Sequence, residues 1–391
     1  MKRFDVALVA APLLLALAGI ALIHSAGGSH YVSRQLLFLP VALAVGTAFA
    51  LIPRRLLYGL AEPAYALVVV ALLAVLVVGT GPGSKRWFVL GSFFVQPSEF
   101  AKLATIILLG KHLSYMRPLD LSPKRLALPL LIVTVPALLV AAEPDLSTAL
   151  VFVGVLAAML LWQGMKPLHL LLLLTPALSF AAGFSIYTWV PFFVLLGALM
   201  LWQSDLGRTA AALGVSAVFG MLSPVVMAML KEYQRARIRS FVAPWLDPHG
   251  TGWNAIQSQI AIGSGRLFGK GFLHGTQKKL GFLPNRHTDF IFSSLGEEFG
   301  FIGCLLVLGL FALLVARMLR AAARTRDRAA SLVCVGLSAA IVYHAFVNIA
   351  MLLGLLPITG IPLPFLSYGG SSLVLNFAMV GFAVNVASRP E

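Results

Sequence analysis

Apolar residues in this chain come in long runs rather than in alternation. Twelve runs stand out: 5–24, 36–52, 62–79, 98–113, 126–142, 146–163, 168–184, 187–203, 208–230, 289–316, 330–353 and 371–387. At about 18 residues, each is long enough to cross a hydrocarbon core ~30 Å thick. A backbone with no water beside it must satisfy its own polar groups, so each run is predicted to be a helix. The chain therefore reads as an all-α, polytopic integral membrane protein, a single membrane domain over residues 1–391.

Composition supports this. Hydrophobic residues make up 59% of the chain and charged residues 11%, whereas a soluble domain needs roughly a quarter of its residues charged to cover its surface. The first run follows Lys2 and Arg3 and resembles a signal peptide, but its length and the spans after it make it an uncleaved first helix. Cys304 and Cys334 fall inside apolar runs and point to neither a disulfide framework nor a metal site.

Basic residues set the predicted orientation. With the N-terminus inside, the inner loops receive Arg54, Arg55, Lys111, Arg117, Lys124, Arg125, Lys166, Arg208 and the Arg317–Arg328 cluster, and both termini are cytoplasmic. Two outer segments are basic as well. Loop 80–97 carries Lys85 and Arg86, and the long loop 231–288 carries nine Lys and Arg against Glu232 and Asp247. Two readings of that charge stand: attraction to anionic lipid head groups, or a basic surface for an anionic substrate. Within the long loop, Trp253–Ile262 has helix-like apolar spacing and is expected to lie along the interface as an amphipathic helix.

The chain also repeats itself. Residues 128–163 align without gaps on 168–203 at a shift of 40, with 15 of 36 positions identical. Leu and Ala matches count for little in membrane sequence. Pro136/Pro176, Thr148/Thr188, Phe152/Phe192 and the closing Leu-Trp-Gln count for more. The expectation is a duplicated helical hairpin, the second copy spanning 164–203, which leaves everything downstream on the same side. In that copy Glu143-Pro144-Asp145 is replaced by Gly183-Phe184-Ser185.

Polar groups near a membrane are costly and therefore informative. Glu99 and Lys102 stand three apart on one helical face, just after Pro97-Ser98, and are expected to pair. Asp145 is placed to cap the helix that follows it. Arg286, His287 and Asp289 cluster where the basic loop meets the next span, and Glu297 and Glu298 follow, about 12 Å deeper at the α-helical rise. Acids grouped with Arg and His beneath a basic loop suit the handling of phosphates; an acid at a helix start is equally a cap. Finally, Pro357 to Ser372, with its prolines, glycines, Ser367 and Tyr368, cannot continue a helix, so it must be buried in protein or line a cavity.

Several motifs carry a family resemblance: Lys85-Arg86-Trp87, Gln96-Pro-Ser-Glu99, Glu143-Pro-Asp-Leu, Gln257-Ser-Gln-Ile-Ala-Ile-Gly-Ser264, Gly271 to Gln277, Phe282-Leu-Pro, His287-Thr-Asp-Phe-Ile-Phe292 and Pro357 to Ser372. The chain resembles the SEDS family (shape, elongation, division and sporulation), in its RodA branch. The resemblance implies a peptidoglycan glycosyltransferase of the bacterial cytoplasmic membrane that polymerises lipid II at the outer face during cell elongation. It implies a class B penicillin-binding protein as partner, contact with membrane lipids and none with nucleic acid, and a divalent cation (Mg or Mn). It places the catalytic acid at Asp289, the family's ion pair at Glu99 and Lys102, and its outer-loop motif at Arg86 and Trp87.

The chemistry suits that reading. A carboxylate is needed as base for the attacking sugar hydroxyl, and cations for the departing diphosphate. Arg86, Lys278, Lys279 and Arg286 are candidates for the second task, with His287, Glu297, Glu298 and Ser367 as supporting groups. Many relatives carry acids where this chain has Gly281 and Asn285, which leaves the metal ligands unassigned, and the family commonly has ten spans rather than twelve. The rival reading is a lipid II flippase, which calls for polar groups at the bilayer midplane and inverted repeats. The repeat here is direct and the acids cluster toward one boundary. A third reading, a non-catalytic scaffold for the transpeptidase, makes Asp289 dispensable.

Overall fold

The computed structural model describes residues 5–80, 86–90, 93–116, 123–203, 205–229, 235, 252–276 and 285–389. Among these, fourteen helices follow in order: α1 Val6–Gly27, α2 Ser29–Leu51, α3 Arg54–Gly59, α4 Ala61–Val78, α5 Pro97–Ser114, α6 Pro123–Ala142, α7 Leu146–Trp162, α8 Pro167–Ala182, α9 Ile186–Gln203, α10 Leu206–Met229, α11 Trp253–Ser264, α12 Ile291–Arg324, α13 Arg328–Leu352 and α14 Gly370–Ser388. A hairpin of β1 Phe88–Leu90 and β2 Phe93–Val95 precedes α5. Each of the twelve expected spans has its helix, and the fold is a polytopic all-α membrane bundle. Among the described residues nine helices are individually long and apolar enough to cross a membrane. Of the other three, α7 and α8 are shorter, and α5 carries Glu99, Lys102 and Lys111.

The charged helix survives because protein surrounds it. Nearly every residue of α5 from Pro97 to Gly110 is buried, against α4, α6 and α13. α13 and α14 are likewise mostly enclosed, whereas α4 and α9 turn most of their surface outward. Close packing of α14 on α2 depends on small residues: a Cβ on Gly381 would lie 2.0 Å from the carbonyl oxygen of Gly46, an approach of the kind that glycine permits between membrane helices.

α12 is broken at Gly300, whose φ of 64° is open to few other residues. The loop before α12 fills the break. Phe301 N donates to Arg266 O at 2.8 Å and Ile302 N to Leu267 O at 3.1 Å, while Lys270 N and Gly271 N donate to Glu297 O and Glu298 O. Backbone freed by a kink at membrane depth has to be satisfied in some such way.

α11 is the helix expected within the long loop. It docks against α12 and α13 through Gln257, Ser258 and Ala261, which are buried. Ser258 Oγ lies 2.7 Å from Ser293 Oγ and donates to Leu352 O at 2.9 Å. Its inward face is small and polar, so hydrogen bonds hold it where an apolar stripe would not.

Helices α8, α9 and α10 form a satellite. Leu196, Met200 and Ala212 make a small cluster with Leu168, Leu171, Leu172, Phe192 and Leu213, separate from the main core. The turn between α8 and α9 falls 40 residues after that between α6 and α7, but the two hairpins are bound differently. Trp162 Nε1 donates to Ser331 Oγ on α13 at 2.9 Å, whereas Trp202 is 83% exposed.

Candidate active site

The turn 285–290 carries His287, Thr288 and Asp289, and α12 begins after it. Asn285 adopts φ 51°, and its carbonyl accepts Thr288 N at 3.0 Å and Asp289 N at 3.1 Å. Phe290 occupies the N-cap position of α12 and no side chain caps it. Asp289 therefore stands one residue before the N-cap position.

Three carbonyls of this turn are fastened by groups from α13 and from the Pro357–Ser372 segment. Tyr368 N donates to His287 O at 2.9 Å, and Ser367 Oγ to Thr288 O at 2.6 Å. Asn348 Nδ2 donates to Asp289 O at 2.9 Å and to Ile361 O at 2.7 Å. Ser367 Oγ also accepts Leu363 N at 2.8 Å, which fixes its own rotamer. The half-buried Asp289 carboxylate lies against Gly360: a Cβ there would come within 3.3 Å of Oδ2. The irregular segment expected from the sequence thus acts as the cradle of the Asp289 turn.

His287 stacks on Tyr31 with ring centroids 4.0 Å apart and meets Tyr368 edge-on. Burial, and then the nearby Arg286 charge, hold its pKa below the ordinary histidine value, so the ring stays neutral in its aromatic slot.

Glu297 and Glu298 are each 1% exposed. Glu297 Oε1 accepts Lys270 Nζ at 2.8 Å, Thr276 N at 2.7 Å and Thr276 Oγ1 at 2.8 Å. Ser25 Oγ of α1 donates to Glu298. The two acids thus tie the loop after α11 to α12 and α12 to α1, and both side chains are buried.

A second polar group surrounds the starts of α5 and α7. Lys102 Nζ donates to Glu99 Oε1 at 2.7 Å, as the spacing predicts, and lies 2.9 Å from His344 Nε2. The His344 ring also hydrogen-bonds the backbone of Pro362, which can only accept. The pair is thereby linked to the same segment that holds Asp289. Arg86 Nε donates to Glu143 O at 2.8 Å, its NH2 to Pro144 O, and NH1 lies 3.5 Å from Asp145 Oδ2. Asp145 Oδ1 caps α7 through Thr148 N, as expected. Trp87 pairs with Thr80 and packs edge-on against Phe94. Glu143 is 1% exposed and neither carboxylate oxygen has a hydrogen-bond partner. Burial, with the Asp145 charge adding and Arg86 opposing, pushes its pKa up to about 8.

These two groups lie at one end of the bundle. Ser371 Oγ at the start of α14 donates to Phe94 O in the hairpin, and Gly369 N to Gln35. Lys278 and Lys279 lie outside the described residues. His344 was missed from sequence, although its spacing four residues before Asn348 puts both on one face of α13. Ser25 and Tyr31 gave no signal, since their partners are some 250 residues away or more. Lys270 registered only as loop charge. Among the described residues no group of three or more His, Cys, Asp or Glu is placed to hold a metal ion.

The family model described as "Cell cycle protein" (FTSW, RODA, SPOVE) matches residues 6–192 and 187–390. The chain is 34% identical to the peptidoglycan glycosyltransferase MrdB of Escherichia coli K12, covering 93% of this chain and 88% of that one. It is 32% identical to the peptidoglycan glycosyltransferase RodA of Treponema pallidum, covering 100% and 98%. Among solved structures, a chain from work on the coordination of polymerization and crosslinking by a peptidoglycan synthase complex superposes with a TM-score of 0.76, at 28% identity over 99% of this chain and 98% of that one. The rod-shape-determining protein RodA of Thermus thermophilus superposes with a TM-score of 0.66, at 26% identity over 99% and 98%. With a family model spanning almost all of it and full-length relatives above 30% identity, the chain belongs to the FtsW–RodA–SpoVE family of cell cycle proteins.

Proposed function

We propose that this chain is a peptidoglycan glycosyltransferase that polymerises lipid II, with Asp289 as the general base. The observation that carries the assignment of the base is the fastening of the Asp289 turn, whose carbonyls at 287, 288 and 289 are each held by a group from α13 or the 357–372 segment. Such fixing keeps the carboxylate in one place while leaving it half-exposed at the end of the bundle. Positioned proton transfer of this kind is worth ~10²–10⁴-fold in rate.

Glycosyl transfer from a polyprenyl diphosphate places negative charge on the leaving group. Arg286, with Lys278 and Lys279 in the adjoining loop, is proposed to stabilise that charge. Arg86 is assigned a different part, because its guanidinium is taken up by the Glu143–Asp145 turn; it positions rather than binds. Glu99, Lys102 and His344 brace the cradle from inside the bundle.

A lipid-linked donor and product call for a site at the bilayer boundary, and Asp289 at the start of α12 meets that need. In the proposed orientation this end faces out from the bacterial cytoplasmic membrane and both termini lie in the cytoplasm, following the basic inner loops. A class B penicillin-binding protein is the proposed transpeptidase partner. The test is polymerisation of lipid II by the purified chain, with and without that partner. Glycan strands are expected; translocation of lipid II without any polymer would favour transport instead.

A further inference from the structure

At the end of the bundle opposite Asp289 the structure contains a cavity of about 470 Å³ that the proposed reaction does not use. Its walls come from the start of α8, the end of α9 and the start of α10: Lys166, His169, Gln203 and Arg208 supply the polar side, Leu168 and Leu172 the apolar one. Lys166 holds the N-cap position of α8 and no side chain caps that end. The positive end of the α8 dipole therefore adds to the charge of Lys166 and Arg208. One carboxylate stands nearby: Asp205 caps Arg208 N at 2.9 Å and lies 3.1 Å from Arg208 Nε.

The matching corner of the first hairpin is filled with protein. There Gln163, at the end of α7, donates to Leu113 O at 3.1 Å and Met116 O at 2.8 Å at the close of α5. Forty residues later the same Leu-Trp-Gln ends α9, and there Gln203 faces the cavity.

We infer that this cavity binds the phosphate of an anionic phospholipid. The shared chemistry is a phosphate anion, which the cations, the Gln203 amide and the His169 N–H can all engage. A lipid fits better than a free ion. Leu168 and Leu172, one turn apart on α8 and partly packed on the α8–α10 cluster, give the cavity an apolar wall beside its charged mouth, against which the start of an acyl chain would lie. Basic pockets between membrane helices take lipid head groups in this manner.

The experiment is native mass spectrometry of the full chain in detergent with added phosphatidylglycerol, cardiolipin or phosphatidylethanolamine. Wild type is expected to retain the first two in preference to the third. The double variant Lys166→Gln/Arg208→Gln should lose that preference, at roughly fivefold per cation removed. Lys166→Arg/Arg208→Lys should keep it, which separates loss of charge from loss of fold. Equal retention in the Gln variant would overturn the proposal, as would ready displacement of the lipid by millimolar inorganic phosphate, which would mark a soluble-anion site.

Discussion

Asn348 Nδ2 lies 2.9 Å from the backbone carbonyl of Asp289, so α13 holds the peptide that presents the candidate base. The same amide binds Ile361 O, which makes one buried side chain the junction of helix, cradle and catalytic turn. Asn348→Leu leaves two buried carbonyls without a donor, a cost of about 1–3 kcal/mol each. Polymerisation by this variant is expected to fall by roughly 10²-fold, since small misplacement of a reacting group costs that much. Full activity at equal membrane level would show that the junction does not position Asp289.

Glu99, Lys102 and His344 should behave as a unit. Lys102→Met strands a buried carboxylate and is expected to cost ~3–5 kcal/mol. Adding Glu99→Gln to it should restore part of that stability, because the stranded charge is gone. A double-mutant cycle on thermal unfolding in detergent reads this directly; strictly additive losses would mean that the pair is not coupled.

Glu143 gives the protein a pH dependence of known sign. Its pKa is raised in the folded protein from 4.5 to about 8, so folding takes up a proton between those values. The stability it contributes is complete below about pH 4.5 and is lost as pH rises through about 8. Glu143→Gln cannot ionise, so its melting temperature should exceed that of wild type at pH 9 and differ little at pH 5. A gap that widened toward acid would reverse the sign and refute the burial argument.

The hairpin 164–203 is proposed as a duplicated copy. It packs with α10 in a cluster apart from the main core and lacks the Glu-Pro-Asp turn that Arg86 grips. Excising 164–203 should preserve topology and part of the activity, whereas excising 124–163 should abolish it. Equal loss from both deletions, at matched membrane levels, would show that the second hairpin has an essential role of its own.

Much of the fold was legible because hydrocarbon imposes a simple rule: each apolar run long enough to span became a helix. The Glu99–Lys102 pair and the Asp145 cap were legible for a related reason, since both depend on spacing within a turn or two. What escaped was the tertiary polar wiring. Ser25 to Glu298 and Tyr31 to His287 join residues some 250 or more positions apart, and no local pattern marks such pairs. The docking of α11 escaped for the same reason: its apolar spacing marks a helix, but the Ser258–Ser293 hydrogen bond that ties it to α12 joins residues in separate elements. The partners of Glu297 and Glu298, which are Lys270, Thr276 and Ser25, were equally out of reach of local pattern.

The central claim is that Asp289 acts as a base and not as a structural group, and the most direct measurement compares Asp289→Asn with Asp289→Ala in lipid II polymerisation. Asn keeps the volume of the side chain and its hydrogen-bonding capacity, and the turn is held through backbone carbonyls that neither substitution removes. Both variants should therefore insert and melt close to wild type. The account predicts that both lose polymerisation to the same extent, by at least ~10²-fold. An Asn variant that polymerises near the wild-type rate, while Ala does not, would contradict it.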